Sequence, residues 1–515
     1  MSFARSLFTV SSLTVLSRIA GFVRDALTAL YLGASYQADA FFVAQRLPNL
    51  FRTLFAEGAF SAAFVPLYTE QKEISDDEKA QRFAGEALGI LIAMLLPFTG
   101  LLVWGMPYVI HIMAPGFTDE PEKFDMAVRL SRITFPYLLL ISITALQTGV
   151  LNARDIFGPG AAAPIMLNIV LIIALLISDF ISTDIGNLLA WAMIVAGSLQ
   201  ALWLAISCYR ARCVIPLLRP KLNEMTVRLF KNIGPGAVGA GAAQINLLLT
   251  TVLASTLPTG AVSYLYYADR LNQLPLGIVG IAVATTLLPL LSKYETAHDK
   301  KMLTYYSSRA IEFCLLLGLP ATLGLGIAAS PIIQTLFEHG VFTHNDSIAT
   351  AQTLAAYSLG IPAFLLVKVF ASRFFAQQDT RTPVKIAIIA LCVNVGGALL
   401  MLHSLEHIGM ALAMSLATWT NAVLLYLQLR KRGAILFDER SKKRIPRILL
   451  AAVIMGILTF ILTQSTNALF IDSSLSNKLI GMAEIIVPSS VAYSVLLLIL
   501  GTFRISELRQ YIGKK

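Results

Sequence analysis

Arg18, Arg24, Arg46, Arg52 and Arg270 lie inside stretches that otherwise read as membrane-spanning helix. A charge at bilayer depth costs about 2.5–3.5 kcal/mol or more on insertion scales, so it persists only facing a bundle interior, a partner or water. Guanidinium groups gathered in such a chamber grip a phosphate through paired hydrogen bonds, which a lysine ammonium cannot do. One reading is therefore a polar chamber built for an anion. The other is that each arginine pairs with a carboxylate and only ties helices together, because Asp25, Asp39, Glu57 and Asp269 are all close in sequence. For a single arginine the two readings stand level; five together favour the chamber.

Ideal helical geometry sorts these charges. Separations of 7 and 18 residues are near whole turns, so Asp39, Arg46 and Glu57 share one face of the second helix. Arg52 points elsewhere unless Pro48 and Gly58 bend the ladder. Arg18 and Asp25 are also seven apart, whereas Arg24 faces away from both. Asp25, Asp39 and Glu57 are thus expected to pair some arginines, with excess positive charge left for a ligand. Ala29, on the first helix, is expected to line the chamber.

The elements that must hold these groups are long and apolar. The 515 residues are 56% hydrophobic and 14% charged, against about 25% charged in soluble proteins. Fourteen runs approach the 20 or so residues needed to span a bilayer: 9–33, 40–68, 84–111, 128–151, 161–179, 187–208, 232–256, 263–291, 310–329, 347–372, 383–402, 408–429, 448–465 and 479–503. The segment 331–337 either extends the ninth or dips back into the membrane. With the N-terminus inside, internal segments hold 30 Lys/Arg, counting Lys385 at the inner end of 383–402, and external ones only Lys123 and Lys478. That asymmetry follows the positive-inside rule, and one missed helix would invert every later loop. The net charge of +10 is accordingly topological, and no nucleic-acid partner is implied. Both termini are expected in the cytoplasm, with no cleaved leader, because Arg18 and Arg24 interrupt the first apolar run.

The halves match at one offset of 224 residues: Pro107 with Pro331, Gly116 with Gly340, Asp155 with Asp379, Pro159 with Pro383, Ala44 with Ala268 and Arg46 with Arg270. An even number of helices per unit gives parallel repeats, a transporter plan with the substrate site between halves. The expected fold is an all-α polytopic membrane protein. Residues 1–224 form an N-lobe (helices 1–6), 225–445 a C-lobe (helices 7–12), and 446–515 add helices 13 and 14. Residues 215–236 join the lobes, in part as an amphipathic helix on the inner surface. No Walker, H-E-x-x-H or G-x-S-x-G motif occurs, and Cys208, Cys213, Cys314 and Cys392 lack metal spacing. The chain therefore reads as no enzyme, without metal or cofactor, driven by an ion gradient or the membrane potential.

The strings "SRIAGFVRDALTALYLGA", "ADAFFVAQRLPNLFRTLFAEGAFSAAFVPLY", "MAPGF", "YYADRLNQLPLGIVGIAVATTLLPLLSK" and "DTRTPVKIA" closely resemble the MurJ (MviN) family, almost end to end. These are bacterial lipid II flippases of the multidrug/oligosaccharidyl-lipid/polysaccharide exporter superfamily. The resemblance implies alternating access in the bacterial inner membrane and export of the undecaprenyl-pyrophosphate-linked peptidoglycan precursor. It implies essential charge at Arg18, Arg24, Asp39, Arg52 and Arg270, and a prenyl-tail groove at the last two helices. Arg18, Arg24, Arg52 and Arg270 then become the substrate contacts, with Asp25, Asp39, Arg46, Glu57 and Asp269 pairing or gating. Sodium coupling occurs in some members, but Asn394 and Asn421 match that site poorly and it is not carried over. A monomer is expected, in contact with the bilayer and with cell-wall synthesis proteins. The alternatives are an O-antigen-type lipid-linked oligosaccharide flippase, a drug antiporter, or a non-transporting scaffold. Carboxylates and aromatics would suit the antiporter's chamber better than arginines, and a scaffold needs no buried arginines.

Overall fold

Length and apolar composition, far more than helix propensity, dictate the secondary structure: a chain that must satisfy its backbone in hydrocarbon becomes helix. The computed structural model describes residues 3–52, 59–74, 76–181, 184–221, 223–471 and 474–502, and among them there is no strand. The helices are α1 (Phe3–Leu32), α2 (Tyr36–Arg52), α3 (Ala59–Ile74), α4 (Asp77–Trp104), α5 (Met106–Met113), α6 (Pro121–Thr134), α7 (Tyr137–Asn152), α8 (Gly158–Leu176) and α9 (Ile185–Arg210). They continue with α10 (Glu224–Ser255), α11 (Ala261–Thr296), α12 (Lys300–Ile327), α13 (Ala329–Leu336), α14 (His344–Ser358), α15 (Ile361–Ala376), α16 (Arg381–Lys431), α17 (Glu439–Ser465) and α18 (Leu475–Ile499). Among the described residues ten helical stretches are long and apolar enough to cross a bilayer. The protein is an all-helical, multi-pass membrane protein.

Several expected spans are broken where the sequence carries a breaker. The run 128–151 is two helices, α6 and α7, that stop and restart at Phe135–Pro136. The segment 331–337 belongs to a separate short helix, α13, and neither extends α12 nor runs on into α14. Conversely, 383–402 and 408–429 are joined in α16. Its 51 residues would measure about 77 Å as one rod, more than twice a hydrocarbon core of about 30 Å. Glu406, at φ 47° and ψ −128°, divides it.

The chain forms two compact units, Met1–Ser263 and Tyr264–Lys515. In the first, Phe64 stacks between Phe60 and Phe83 with ring centroids 5.3 and 5.5 Å apart, joining α3 and α4 to Leu146 and Val150 of α7. In the second, Val279 and Val283 of α11 pack with Ile311 of α12 and with Leu365 and Val369 of α15. There α17 and α18 lie on Leu316, Leu319 and Leu323 of α12, and the Tyr493 hydroxyl donates to Leu316 O at 2.8 Å. Asp438, Ser441 and Arg444 bind the same pair of α12 residues, Arg309 and Glu312.

The linker over 215–236 is helical in part, as expected. Residues 213–221 carry no regular structure, and Pro216 and Pro220 disfavour a helix interior there. This strap crosses α4 at two glycines, where a Cβ would lie 2.4 Å from Pro216 O at Gly85 and 2.1 Å from Leu218 O at Gly89. Helix resumes only at α10, started by a capping box between Asn223 and Thr226.

The two lysines assigned to external segments are both buried. The Lys123 ammonium lies 3.1 Å from Asp39. Lys478 donates to Gln334 O at 3.4 Å and to Glu338 O and Oε1 at 3.5 Å. Each is neutralised by a carboxylate of its own unit, so the outward exception to the charge asymmetry disappears.

A backbone crossing in the first unit is equally specific. A Cβ on Gly116 would sit 2.1 Å from Ser255 O and 2.5 Å from Thr256 Cα, and neither atom can swing aside. Gly116→Ala is expected to lower stability by about 1–3 kcal/mol, read as a fall in the unfolding midpoint in detergent. Gly100→Ala, with nothing within 4 Å of its Cβ, should be neutral or slightly stabilising.

Candidate functional site

Arg24 is held on two sides. Its Nε and Nη2 donate to Asp25 Oδ1 at 3.1 and 2.7 Å, and its Nη1 donates to Asn168 Oδ1 at 3.0 Å. Arg24 and Asp25 are both buried. The helical wheel had matched Asp25 with Arg18; instead its neighbour takes it, because a guanidinium on a long stem reaches a carboxylate 100° round the helix. Arg18 stands on the exposed side of α1. Ala29 is fully buried and does not line a chamber; packing claims it.

Arg52, the last residue of α2, is half-buried and donates from Nε to Asn49 Oδ1 at 3.2 Å. Both Arg52 and Arg24 lie within electrostatic range of the Tyr137 hydroxyl on α7. That hydroxyl donates to Gln200 Oε1 at 3.2 Å, and Gln200 Nε2 donates to Ala163 O at 2.8 Å. Arg24, Asn168, Tyr137, Gln200 and Ala163 O thus make buried polar contacts on α1, α7, α8 and α9, while the Arg52 bond to Asn49 stays on its own helix.

Arg46 and Asp39 do other work. Arg46 Nη1 donates to Thr251 Oγ1 and, at 3.4 Å, to Leu247 O, which clamps α2 to α10. Asp39 accepts from Gly260 N–H at 2.8 Å, Ser263 N–H at 3.0 Å and Ser263 Oγ at 2.6 Å. A carboxylate from α2 therefore satisfies the orphan donors at the start of α11, where the helix dipole favours negative charge. Lys123 completes the cluster, donating to Thr259 Oγ1 at 2.9 Å over the Phe117 ring. Glu57 lies outside the described residues.

In the second unit Arg270 Nη2 donates to the Tyr266 hydroxyl at 2.8 Å with its guanidinium 4.7 Å over that ring. Asp269 accepts from Gln273 one turn on. Tyr266 preorganises Arg270 by stacking and hydrogen bonding together, a geometry lysine does not reproduce.

Sequence reasoning missed Lys123, Tyr137, Asn168, Gln200 and Thr251. Asn168 and Gln200 left one faint signal, an amide inside an apolar span, since a buried amide must find both donor and acceptor partners. Lys123 left none, because a lysine in a short loop reads as solvated.

Breaking the Asp39–Lys123 pair should be costly. Lys123→Met or Asp39→Asn alone is expected to destabilise by about 3–5 kcal/mol, because the surviving charge stays buried. The double variant should lose less than the sum, read as coupling in a double-mutant cycle on detergent unfolding. Additive losses would mean that the two charges do not interact.

Comparison with known proteins places this arrangement. The family described as lipid II flippase MurJ matches residues 28–480. A probable lipid II flippase MurJ from Rhizobium tropici is 37% identical over 520 residues, covering 100% of this chain and 97% of its own length. Its counterpart in Haemophilus influenzae is 35% identical over 508 residues, covering 95% of this chain and 98% of its own. A solved lipid II flippase MurJ in an inward closed conformation superposes with a TM-score of 0.78 at 26% identity, over 95% of this chain and 99% of that one. An inward-facing multidrug resistance MATE family transporter of the MOP superfamily shares the fold at TM-score 0.70 and 13% identity, over 83% of this chain and 98% of that one. With both its units matched by relatives of nearly its own length, the chain belongs to the lipid II flippase MurJ family.

Proposed function

We propose that the chain carries lipid II, the undecaprenyl-pyrophosphate-linked peptidoglycan precursor, from the inner to the outer leaflet of the bacterial cytoplasmic membrane by alternating access. The observation that carries this reading is the family match along nearly the whole chain. Arg18, Arg24, Arg52 and Arg270 bind the pyrophosphate. The two-sided hold on Arg24 and the stacking of Arg270 support that assignment, because both fix a planar fork in advance.

The transport architecture is fourteen crossings: two six-helix lobes, 1–224 and 225–445, and a closing pair, 446–515, that offers the prenyl tail a groove. Helix bounds support the 224-residue repeat. They are Tyr137–Asn152 for α7 and Ile361–Ala376 for α15, one offset at both ends. The proposed orientation has both termini in the cytoplasm, and the protein acts as a monomer beside cell-wall synthesis proteins.

Two experiments test this. Arg→Lys at Arg18, Arg24, Arg52 or Arg270 keeps the charge but loses the fork. Each is expected to slow lipid II flipping and to fail in cells depleted of their own flippase. Normal growth with all four lysine variants would reduce the clamp to generic positive potential. The second concerns energy. Outward movement of a pyrophosphate is favoured by an inside-negative field at about 2.3 kcal/mol per charge per 100 mV, and inward return of an arginine-rich empty chamber is favoured too. Collapsing the potential with a potassium ionophore, at constant pH gradient and sodium, should stop export. Undiminished export would move the coupling to sodium or protons.

A further inference from the structure

Asn168 lies in the middle of the apolar helix α8, buried to 6% exposure. It touches one face of α1, on which Ser17, Gly21 and Arg24 follow at separations of four and three residues. Its Nδ2 donates to Ser17 O at 3.0 Å while its Oδ1 accepts from Arg24 Nη1 at 3.0 Å. Gly21 lets the amide lie flat on the helix, with its missing Cβ 3.5 Å from Asn168 Nδ2.

The two partners dictate the side chain. A backbone carbonyl can only accept and a guanidinium can only donate, so the bridging group needs one donor and one acceptor at fixed spacing. Aspartate would set oxygen against the Ser17 oxygen. It would also give Arg24 a second carboxylate beside Asp25, turning the set net negative in a low-dielectric layer. Leucine, of similar volume, would leave Ser17 O without its side-chain donor and Arg24 Nη1 without its acceptor.

We infer that Asn168 is a positioning residue for anion recognition: a neutral acceptor that fixes the Arg24 fork without adding a second negative charge beside Asp25. This rests on the flippase reading, and it adds that pyrophosphate affinity is set from α8 through Arg24. The ligand chemistry is a prenyl pyrophosphate, esterified on both phosphates in lipid II and on one in undecaprenyl pyrophosphate.

The test uses the full chain in lipid nanodiscs, titrated with lipid II and separately with undecaprenyl pyrophosphate. N168D is expected to bind both lipids about tenfold more weakly or worse, the scale of a lost charge-assisted interaction. In an Arg24→Ala background, N168D should add no further loss of binding, because its effect passes through Arg24. A merely structural role would instead weaken binding equally in both backgrounds. Should N168D fail to fold, N168L removes both hydrogen bonds without adding charge, and the same cycle is run with it. Wild-type affinity in the folded variant, or a loss undiminished in the R24A background, overturns the inference. A wild-type chain that binds neither lipid overturns the flippase reading and this one with it. Wild-type binding with an indifferent variant overturns this one alone.

Discussion

Charge inside hydrocarbon has to be answered locally, and the polar interior follows from how each charge finds its answer. Water cannot be relied on at that depth, so a guanidinium or carboxylate left alone would cost several kcal/mol. Arg24 is answered by one carboxylate and one amide, Asp39 by one ammonium, two backbone donors and a hydroxyl, and Arg46 by a hydroxyl and a carbonyl. Asp39 with Lys123 and Arg24 with Asp25 each set a charge against its opposite, whereas the bonds by which Arg46 ties α2 to α10 go to neutral groups. Asn168 adds a hydrogen bond to Arg24 without adding a second carboxylate.

Helix and unit boundaries show how far the sequence reaches. Apolar run length identified an all-helical membrane protein, because the cost of unsatisfied backbone in lipid leaves helix as the only option. The break at Pro136 shows the limit, because the proline was visible and 128–151 still reads as one apolar run. At Glu406 the polar residues His403, Ser404, Glu406 and His407 already separate 383–402 from 408–429. In the linker, Pro216 and Pro220 mark the stretch that stays out of helix, whereas the α4 glycines Gly85 and Gly89 that receive it gave no sign of that role in the sequence.

At the site, the identity of the charged residues was legible and their partnering was not. A wheel drawn on a straight helix assigns partners by face, but long side chains ignore it: Arg24 turns to its own neighbour Asp25. Tertiary partners are invisible to any local rule. Lys123 reaches Asp39 across 84 positions of sequence, and Asn168 reaches Arg24 across 144. What sequence could offer was a weaker inference, that an amide deep in an apolar span must have both a donor and an acceptor to meet.

Two glycines 224 positions apart carry the same lesson into the backbone. Gly116 and Gly340 read alike in the sequence. Gly340 has a φ of 62°, a left-handed conformation that favours glycine for want of a Cβ. Gly116 needs no such φ; its Cβ position is occupied by the backbone at Ser255 and Thr256. One glycine is retained for torsion and the other for space, so a substitution tolerated at one says nothing about the other. Of the five arginines singled out in the sequence, Arg18, Arg24, Arg46 and Arg52 lie in the first unit and Arg270 in the second, so the two units differ in charge chemistry as well as in what holds their glycines.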